Sequence, residues 1–241
     1  MARRLRTRFT FDPAPETDAV WSPDGRTIVF NSSRKGHFDL YRKPANGLGA
    51  EQLLYADNLE KYPLGFSPDG RFLLYCTYGN PKTGNDLWIL PGPLNAPGTA
   101  SPYPFLRTPF NEFQGQFSPD GHWIAYQSDE SGRPEIYAAP FPGPGGKRQL
   151  STAGGQMPRW RADGKEVFYI APDQRLMAAQ VTIKGGEFET GEVHALFGPL
   201  MGNGYQYDVS ADGQRILAIT PRQTASAPLT IVQNWPAGLK K

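Results

Sequence analysis

Short apolar runs, separated by turns of proline, aspartate and glycine, recur along the whole chain. An apolar residue followed by Ser-Pro-Asp-Gly occurs three times, ending at Gly25, Gly70 and Gly121, and two degenerate copies end at Gly164 and Gly213. Neighbouring motif glycines are 43 to 51 residues apart, a period typical of four-stranded propeller blades. The pattern therefore predicts an all-β protein, a β-propeller of about five four-stranded blades.

The residue types of the motif explain why it forms a turn. Proline presets φ for the second turn position, aspartate bonds the backbone ahead of it, and glycine adopts the left-handed conformation that closes the hairpin. We therefore interpret the repeated acids as structural turn residues, with no metal or acid–base role. These turn residues are Asp24, Gly25, Asp69, Gly70, Asp120, Gly121, Asp163, Gly164, Asp212 and Gly213.

The strand after each turn is apolar on both faces, for example at Phe72 to Tyr75. Such strands fit blades that pack face to face rather than a sheet with one wet side. The last blade lacks a fourth strand, so we expect residues 5–11 to supply it by pairing with Leu229 to Asn234 and to remove two exposed edges. Residues 1–241 then form a single propeller domain. The alternative is a six-bladed ring truncated at its N-terminal side.

Composition narrows the function classes. The formal charge of +2 and scattered basic residues argue against nucleic-acid binding. The apolar runs are too short to span a bilayer, so we expect no membrane insertion by this chain. The basic N-terminus has no apolar region after it and is not a signal peptide as it stands. Cys76 lies in an apolar run, which favours a buried thiol.

The run from Trp21 to Tyr41 and the run from Pro134 to Ser151 resemble the repeats of the TolB-like, WD40-like β-propeller family. Similar repeats occur in dipeptidyl-peptidase-type propeller domains and in bacterial propellers linked to serine/threonine kinases, whose C-terminal ends resemble Asn234 to Leu239. The resemblance implies a bacterial propeller, usually with six blades, and an extracytoplasmic (periplasmic) location. Because this chain shows no signal peptide, the sequence leaves the location open.

Five residues are expected to form the mouth of the central channel, because each lies seven or eight positions before the motif glycine of its own blade. They are Tyr62, Phe113, Gln114, Gln156 and Tyr205. Aromatic rings and amides suit a protein or peptide partner, or a small polar ligand. The competing interpretation is that the aromatic side chains only plug the channel.

No catalytic motif is present: the chain has no G-x-S-x-G elbow and no phosphate loop, and its three histidines lack metal-ligand spacing. We therefore expect a non-enzymatic binding or scaffold propeller, without cofactor or metal, or a sensor module of a longer kinase-linked protein. One alternative is an accessory propeller of a separately encoded hydrolase. The other is a five-bladed glycosidase-like enzyme, which needs converging carboxylates. Its candidates are Glu16, Asp18, Glu60, Glu112 and Asp208.

Acidic residues also recur at the start of the third strand of three blades, at Asp39, Asp86 and Glu135. We expect them to make structural hydrogen bonds.

Overall fold

The computed structural model describes residues 8–95, 101–143, 145–202, 204–210, 212–221 and 229–233. Within these ranges the chain forms nineteen β-strands and no helix, so no helix there is long and apolar enough to cross a membrane. The strands make five antiparallel sheets, each built from strands consecutive in sequence. The all-β propeller architecture with about five blades is confirmed.

Each sheet is one blade, and its strands follow in chain order from the innermost to the outermost. Blade 1 contains β1 (Glu16–Trp21), β2 (Thr27–Ser32), β3 (Asp39–Pro44) and β4 (Gln52–Tyr55). Blade 2 contains β5 (Glu60–Phe66), β6 (Phe72–Asn80), β7 (Gly84–Pro91) and β8 (Tyr103–Leu106). Blade 3 contains β9 (Glu112–Phe117), β10 (Trp123–Ser128), β11 (Glu135–Pro140) and β12 (Arg148–Gln149).

The remaining two blades differ in strand number. Blade 4 contains β13 (Gln156–Trp160), β14 (Glu166–Ile170), β15 (Leu176–Lys184) and β16 (Glu187–Phe197). Blade 5 contains β17 (Tyr207–Val209), β18 (Arg215–Ile219) and β19 (Leu229–Gln233). The innermost strands contact one another in order, β1 with β5, β5 with β9 and β9 with β13, and therefore face a common axis.

In blades 2, 3 and 4 the second strand is largely buried on both faces because it packs against two neighbouring blades. In blade 5, β18 has one buried and one exposed face. In β6, Leu73 and Tyr75 belong to the apolar cluster shared with blade 1. Leu74 and Cys76 alternate with them and belong to the cluster shared with blade 3. All four side chains are almost completely buried. This two-sided burial explains the lack of polar alternation in the sequence and confirms the prediction that Cys76 is buried.

The Ser-Pro-Asp-Gly turns have the predicted geometry. Gly25 has φ +68° and donates its backbone N–H to the carbonyl of Ser22 at 2.9 Å. Asp24 accepts the Ser22 hydroxyl at 2.6 Å and the Arg26 backbone N–H at 3.0 Å. The other four motif glycines have φ between +65° and +73°.

The same kind of hydrogen bond lowers the pKa of Asp24, Asp69 and Asp212. In blade 2, the Ser67 hydroxyl and the Arg71 backbone N–H lower the pKa of Asp69 to about 2. The carboxylate is therefore engaged within its own turn.

The N-terminal segment does not show the predicted closure of the last blade where the structure describes it. Residues 5–7 lie outside the described residues, and residues 8–11 form no strand. Phe9 packs edge-to-face on Phe30 of blade 1, with ring centroids 6.5 Å apart, and its carbonyl accepts the Lys43 ammonium at 2.7 Å. The expected strand is therefore wrong for residues 8–11, because the exposed apolar face of blade 1 binds Phe9 instead.

The outer hairpin of blade 4 is long, because β15 and β16 pair from Leu176↔Phe197 out to Lys184↔Glu187. Gly185 and Gly186, with φ +59° and +84°, form the connecting turn. Two glycines between apolar runs are a known signal for such a two-residue hairpin turn.

We predict that Gly25→Val lowers the free energy of unfolding by about 1–3 kcal/mol, because a β-branched residue is strained at positive φ. A side chain at Gly25 would meet no atom within 4 Å, so the loss comes from the backbone alone. Gly65→Val is the matched control, since Gly65 lies in a strand without positive φ and is equally unobstructed. Denaturant unfolding of both variants checks the prediction, and equal losses would contradict it.

We also predict that Phe9→Ala lowers the free energy of unfolding by about 1–2 kcal/mol, because it uncovers the buried ring of Phe30. Phe11→Ala removes an equal ring that is 69% exposed and should change stability little. Thermal or denaturant unfolding of the two variants is the measurement. A larger loss from Phe11→Ala would show that the segment packs elsewhere.

Candidate functional site

A β-bulge occurs near the middle of the innermost strand in blades 1 to 4. The register with the second strand shifts between Thr17 and Val20 in β1, and between Pro63 and Gly65 in β5. Corresponding shifts occur in β9 and β13. A bulge bends its strand and re-aims the neighbouring side chains. The four bulges occupy equivalent positions in their blades, so all four re-aim side chains close to the central axis.

Three bulge residues adopt left-handed backbone conformations that side chains rarely take. Asp18, Gln114 and Met157 have φ of +45°, +56° and +58°. Each lies seven positions before the motif glycine of its blade. Such a conformation costs on the order of 1–3 kcal/mol per residue and persists only where the surroundings enforce it. The axis of the propeller is thus the most strained part of the backbone, outside the glycine turns.

Arg159 and Tyr205 make a cation–π contact at this axis. Arg159 follows the bulge of β13, and its guanidinium lies 3.6 Å from the centroid of the Tyr205 ring. Arg159 Nε also lies 3.8 Å from Asp208 Oδ1. Burial raises the pKa of Tyr205, and the charge of Arg159 partly opposes that rise. Behind them, the Tyr207 hydroxyl donates to the carbonyl of Met157 at 2.7 Å, which joins blade 5 to the bulge of blade 4.

A second group of aromatic rings comes from blades 1 and 2. The Tyr62 ring lies 4.6 Å from Tyr78 and 5.6 Å from Phe38, measured between centroids. Burial raises the pKa of Tyr78, and the charges of Asp18 and Tyr205 raise it further. These electrostatic effects show that groups from blades 1, 2 and 5 approach one another around the axis.

The structure brings together some of the five predicted channel-mouth residues and separates others. Tyr62 and Tyr205 both lie in the region around Tyr78. Gln114 spans two blades, because its Oε1 accepts the Met157 backbone N–H at 2.8 Å. Its amide therefore holds the two bulges together.

The other two predicted residues lie away from this group. Phe113 packs against the apolar cluster between blades 2 and 3. Gln156 lines a cavity of about 250 Å³, together with Pro134 of blade 3 and Pro172 and Gln174 of blade 4. The channel mouth formed by all five side chains therefore stays a prediction.

Sequence reasoning missed Arg159 and Tyr78. Arg159 lies five positions before the motif glycine, whereas the predicted channel-mouth residues lie seven or eight positions before it. Tyr78 lies near the end of β6, which at nine residues is longer than the other second strands. The length of that apolar run, which extends past the aromatic residue Tyr75, is the signal that could have found it.

The carboxylates considered for a glycosidase are engaged in different contacts. Arg34 donates to Glu16. Glu60 accepts the Phe38 backbone N–H at 2.7 Å and lies 3.5 Å from the His37 ring. Asp18 and Asp208 are exposed and belong to the axial region. Glu112 is buried under the connection between blades 2 and 3, where the Thr108 hydroxyl donates to it.

Comparisons with known proteins agree with this architecture. No family model matches the chain. A tricorn protease homologue of Streptomyces coelicolor is 30% identical over 97 residues, which are 40% of this chain and 9% of that protein. An uncharacterised protein of Agrobacterium fabrum is 25% identical over 221 residues, covering 83% of this chain and 71% of that protein.

Solved structures show the same fold at low identity. TolB from Acinetobacter baumannii superposes with a TM-score of 0.68 at 20% identity, covering 94% of this chain and 53% of that one. A prolyl endopeptidase superposes with a TM-score of 0.57 at 14% identity, covering 90% and 35%. The matched residues thus cover about half the length of TolB and less than a tenth of the tricorn homologue. It has a β-propeller fold of the TolB-like and prolyl-peptidase type.

Proposed function

We propose that this chain is a non-enzymatic binding propeller that holds an extended peptide segment of a protein partner at the axial face formed by Tyr62, Tyr78, Arg159 and Tyr205. The observation that carries the proposal is the Arg159 guanidinium, placed 3.6 Å over the Tyr205 ring next to an exposed carboxylate. A stacked guanidinium is positioned before a ligand arrives, so less side-chain entropy is lost on binding.

The ion pair of Arg159 with Asp208 is weak enough to exchange for a ligand. The two groups are 3.8 Å apart, and the Asp208 side chain is 73% exposed to solvent. Solvent screens such a pair, which contributes little to stability. A carboxylate or carbonyl of a peptide can therefore take the place of Asp208 on the guanidinium.

The aromatic rings supply the apolar part of the face. Tyr62 and Tyr78 are arranged edge to face, and Tyr78 remains 38% exposed. Tyrosine offers a large apolar surface with a polar tip and loses little conformational entropy, which is why it is common in interfaces. The exposed carboxylate of Asp18 adds a negative group near these rings.

The cavity at Gln156 supports binding of a chain rather than of one small molecule. Gln156 and Arg159 flank the bulge of β13, so the cavity and the guanidinium belong to one strand. About 250 Å³ is smaller than typical small-molecule pockets. It would suit one side chain of a peptide, between two prolines and two amide groups.

A second candidate is an accessory propeller that acts with a separately encoded hydrolase. It is favoured by the sequence similarity to a tricorn protease homologue and by the fold similarity to a prolyl endopeptidase. Both candidates use a peptide-binding face. They differ in whether a peptidase encoded next to this chain changes its rate when the chain is added.

We predict that Arg159→Ala weakens peptide binding by roughly tenfold or more, because it removes a stacked cation at the centre of the face. The probe is a library of short fluorescent peptides screened against the wild-type chain, followed by polarisation titration of the tightest peptide. Arg159→Lys should bind with intermediate affinity, since it keeps the charge but loses the planar stack.

Trp21→Ala is the control, because Trp21 is 60% exposed and lies at the turn end of β1. It should bind the peptide as the wild type does. Equal loss in the two variants, or no loss for Arg159→Ala, would remove the axial face as the binding site. A library without any binder would argue against a peptide ligand.

A further inference from the structure

Three successive blade connections can be compared because they share one arrangement. Asp39 and Glu135 are the first residues of the third strands of blades 1 and 3, Asp86 is the third residue of β7 in blade 2, and all three side chains are buried. Each acid interacts with the connection that leads to the next blade. At the end of each connection, one position lies nine residues before the motif glycine of the next blade. This position is Lys61 in the connection to blade 2 and Glu112 in the connection to blade 3.

In the first connection, the buried acid is neutralised by a cation that the chain supplies. The Lys61 ammonium is completely buried and lies 3.0 Å from Asp39 Oδ1 and 2.7 Å from Asp57 Oδ1. It also donates to the backbone carbonyls of Leu59 at 2.5 Å and Asp57 at 3.2 Å. The connection therefore surrounds a positive charge with four oxygen atoms.

In the third connection, the acid is satisfied without a buried cation at the equivalent position. Gly154 donates its backbone N–H to Glu135 Oε1 at 2.9 Å, and the Ser151 hydroxyl donates to Oε2. Arg133 Nε, on a side chain that is half exposed, lies 2.8 Å from Oε1. Both oxygens of Glu135 thus have partners.

The second connection breaks this pattern, because Glu112 stands where the first has Lys61. Asp86 Oδ2 accepts the Thr83 hydroxyl at 2.8 Å, and Glu112 Oε1 accepts the Thr108 hydroxyl. Asp86 Oδ1 and Glu112 Oε2 are buried and have no hydrogen-bond partner. Asp86 and Glu112 thus occupy the positions equivalent to the Asp39–Lys61 ion pair of the preceding connection, and the charge of Asp86 acts on Glu112.

A third buried oxygen without a partner lies next to Asp86. Thr77 is directly opposite Asp86 in the β6–β7 register, and opposite residues of an antiparallel pair share a face. Its Oγ1 is buried and has no hydrogen-bond partner. Unpaired buried oxygens are rare and costly, so three in one region indicate a missing positive group.

The charged groups around Asp86 and Glu112 do not supply a positive charge to these unpaired oxygens. Arg107 Nε is 4.0 Å from Asp86 Oδ2, the oxygen that already has partners, and its side chain is 48% exposed. Glu130 contributes further negative charge. Burial, with the charges of Asp86 and Glu130, raises the pKa of Glu112 to about 7, against the opposing effect of the Thr108 hydrogen bonds. Burial also raises the pKa of Asp86.

We propose that the connection between blades 2 and 3 binds a hard metal cation between Asp86 Oδ1 and Glu112 Oε2, in the place that the Lys61 ammonium takes in the preceding connection. A glutamate side chain is shorter than that of lysine, so its carboxylate ends before the position of the lysine ammonium. Thr77 Oγ1, on the residue opposite Asp86 in the strand pair, is the candidate third ligand.

Calcium fits this set of groups. Calcium accepts carboxylate, hydroxyl and carbonyl oxygens in flexible geometry, and two carboxylates balance its charge. The described residues contain no group of three or more His, Cys, Asp or Glu side chains that could hold a metal. The remaining ligands would therefore be neutral oxygens, as two of the four oxygens around Lys61 are.

The test is thermal unfolding of the full chain after removal of metals with a chelator, at about pH 8, above the pKa of about 7 to which burial raises Glu112. Calcium chloride should raise the Tm by about 5–10 °C at roughly one hundred times its Kd. Magnesium and potassium chloride at equal ionic strength test the selectivity. Calorimetric titration should give one calcium per chain.

Two substitutions at Glu112 make the test specific. Glu112→Lys copies the first connection and should abolish the calcium response while keeping a Tm at or above that of the metal-free wild type. Glu112→Gln keeps the shape but removes a charge, and should weaken calcium binding at least about tenfold. Glu60→Gln alters a carboxylate in the first connection and should respond to calcium as the wild type does.

Two results would overturn the proposal. One is a calcium response that survives in both Glu112 variants, which would place the ion elsewhere. The other is a wild-type Tm that ignores every cation but rises as the pH falls from 8 towards 5. That result would show that a proton, and not a metal ion, satisfies Asp86 Oδ1 and Glu112 Oε2. The folded protein gains stability as the pH falls when a carboxyl has a higher pKa in the folded than in the unfolded state.

Discussion

The structure depends on the packing of each sheet against both of its neighbours. In blades 2, 3 and 4 the second strand is largely buried on both faces, as Leu73 and Leu74 show by joining two different apolar clusters. In blade 5, by contrast, Leu217 and Ile219 are 48% and 49% exposed. Each blade is thereby held by its neighbours rather than by a core of its own. Blade 1 has one face without a preceding neighbour among the described contacts, and Phe9 covers Phe30 there.

Because the blades are stacked in this way, polar groups are confined by packed neighbours at two places. The first is the axis, where the innermost strands meet and bulge. The second is the set of connections that pass over the third strands. At both places the five blades depart from one another in sequence, while the turns on the opposite side remain nearly identical. Variation is thus concentrated where the fold does not dictate the side chain, as expected for recognition surfaces on a rigid scaffold.

The connections show how a repeat fold solves one electrostatic problem in several ways. A buried acid at the start of the third strand meets a lysine in one connection and neutral donors with a half-exposed arginine in another. Between them, Asp86 meets Glu112, which is the unfavourable pairing of two like charges at low solvent exposure. The neighbouring blades act as internal controls, since the backbone arrangement is shared and only the side chains differ.

The sequence by itself determined the class of fold, the position of the turns and the strands that follow them. Those features depend on local chemistry: the turn at Gly25 needs positive φ, which glycine adopts without strain, and the apolar run after each turn favours a buried strand. Only the tertiary structure decided which residues meet at the axis. Arg159 stacks on Tyr205, and Gln114 accepts a hydrogen bond from Met157 in the bulge of β13. The bulges set the direction of these side chains, and that direction cannot be predicted from the spacing of residues in the sequence. The location of Phe9 and the meeting of Asp86 with Glu112 were decided in the same way, since each depends on which surfaces are left uncovered after the blades have packed.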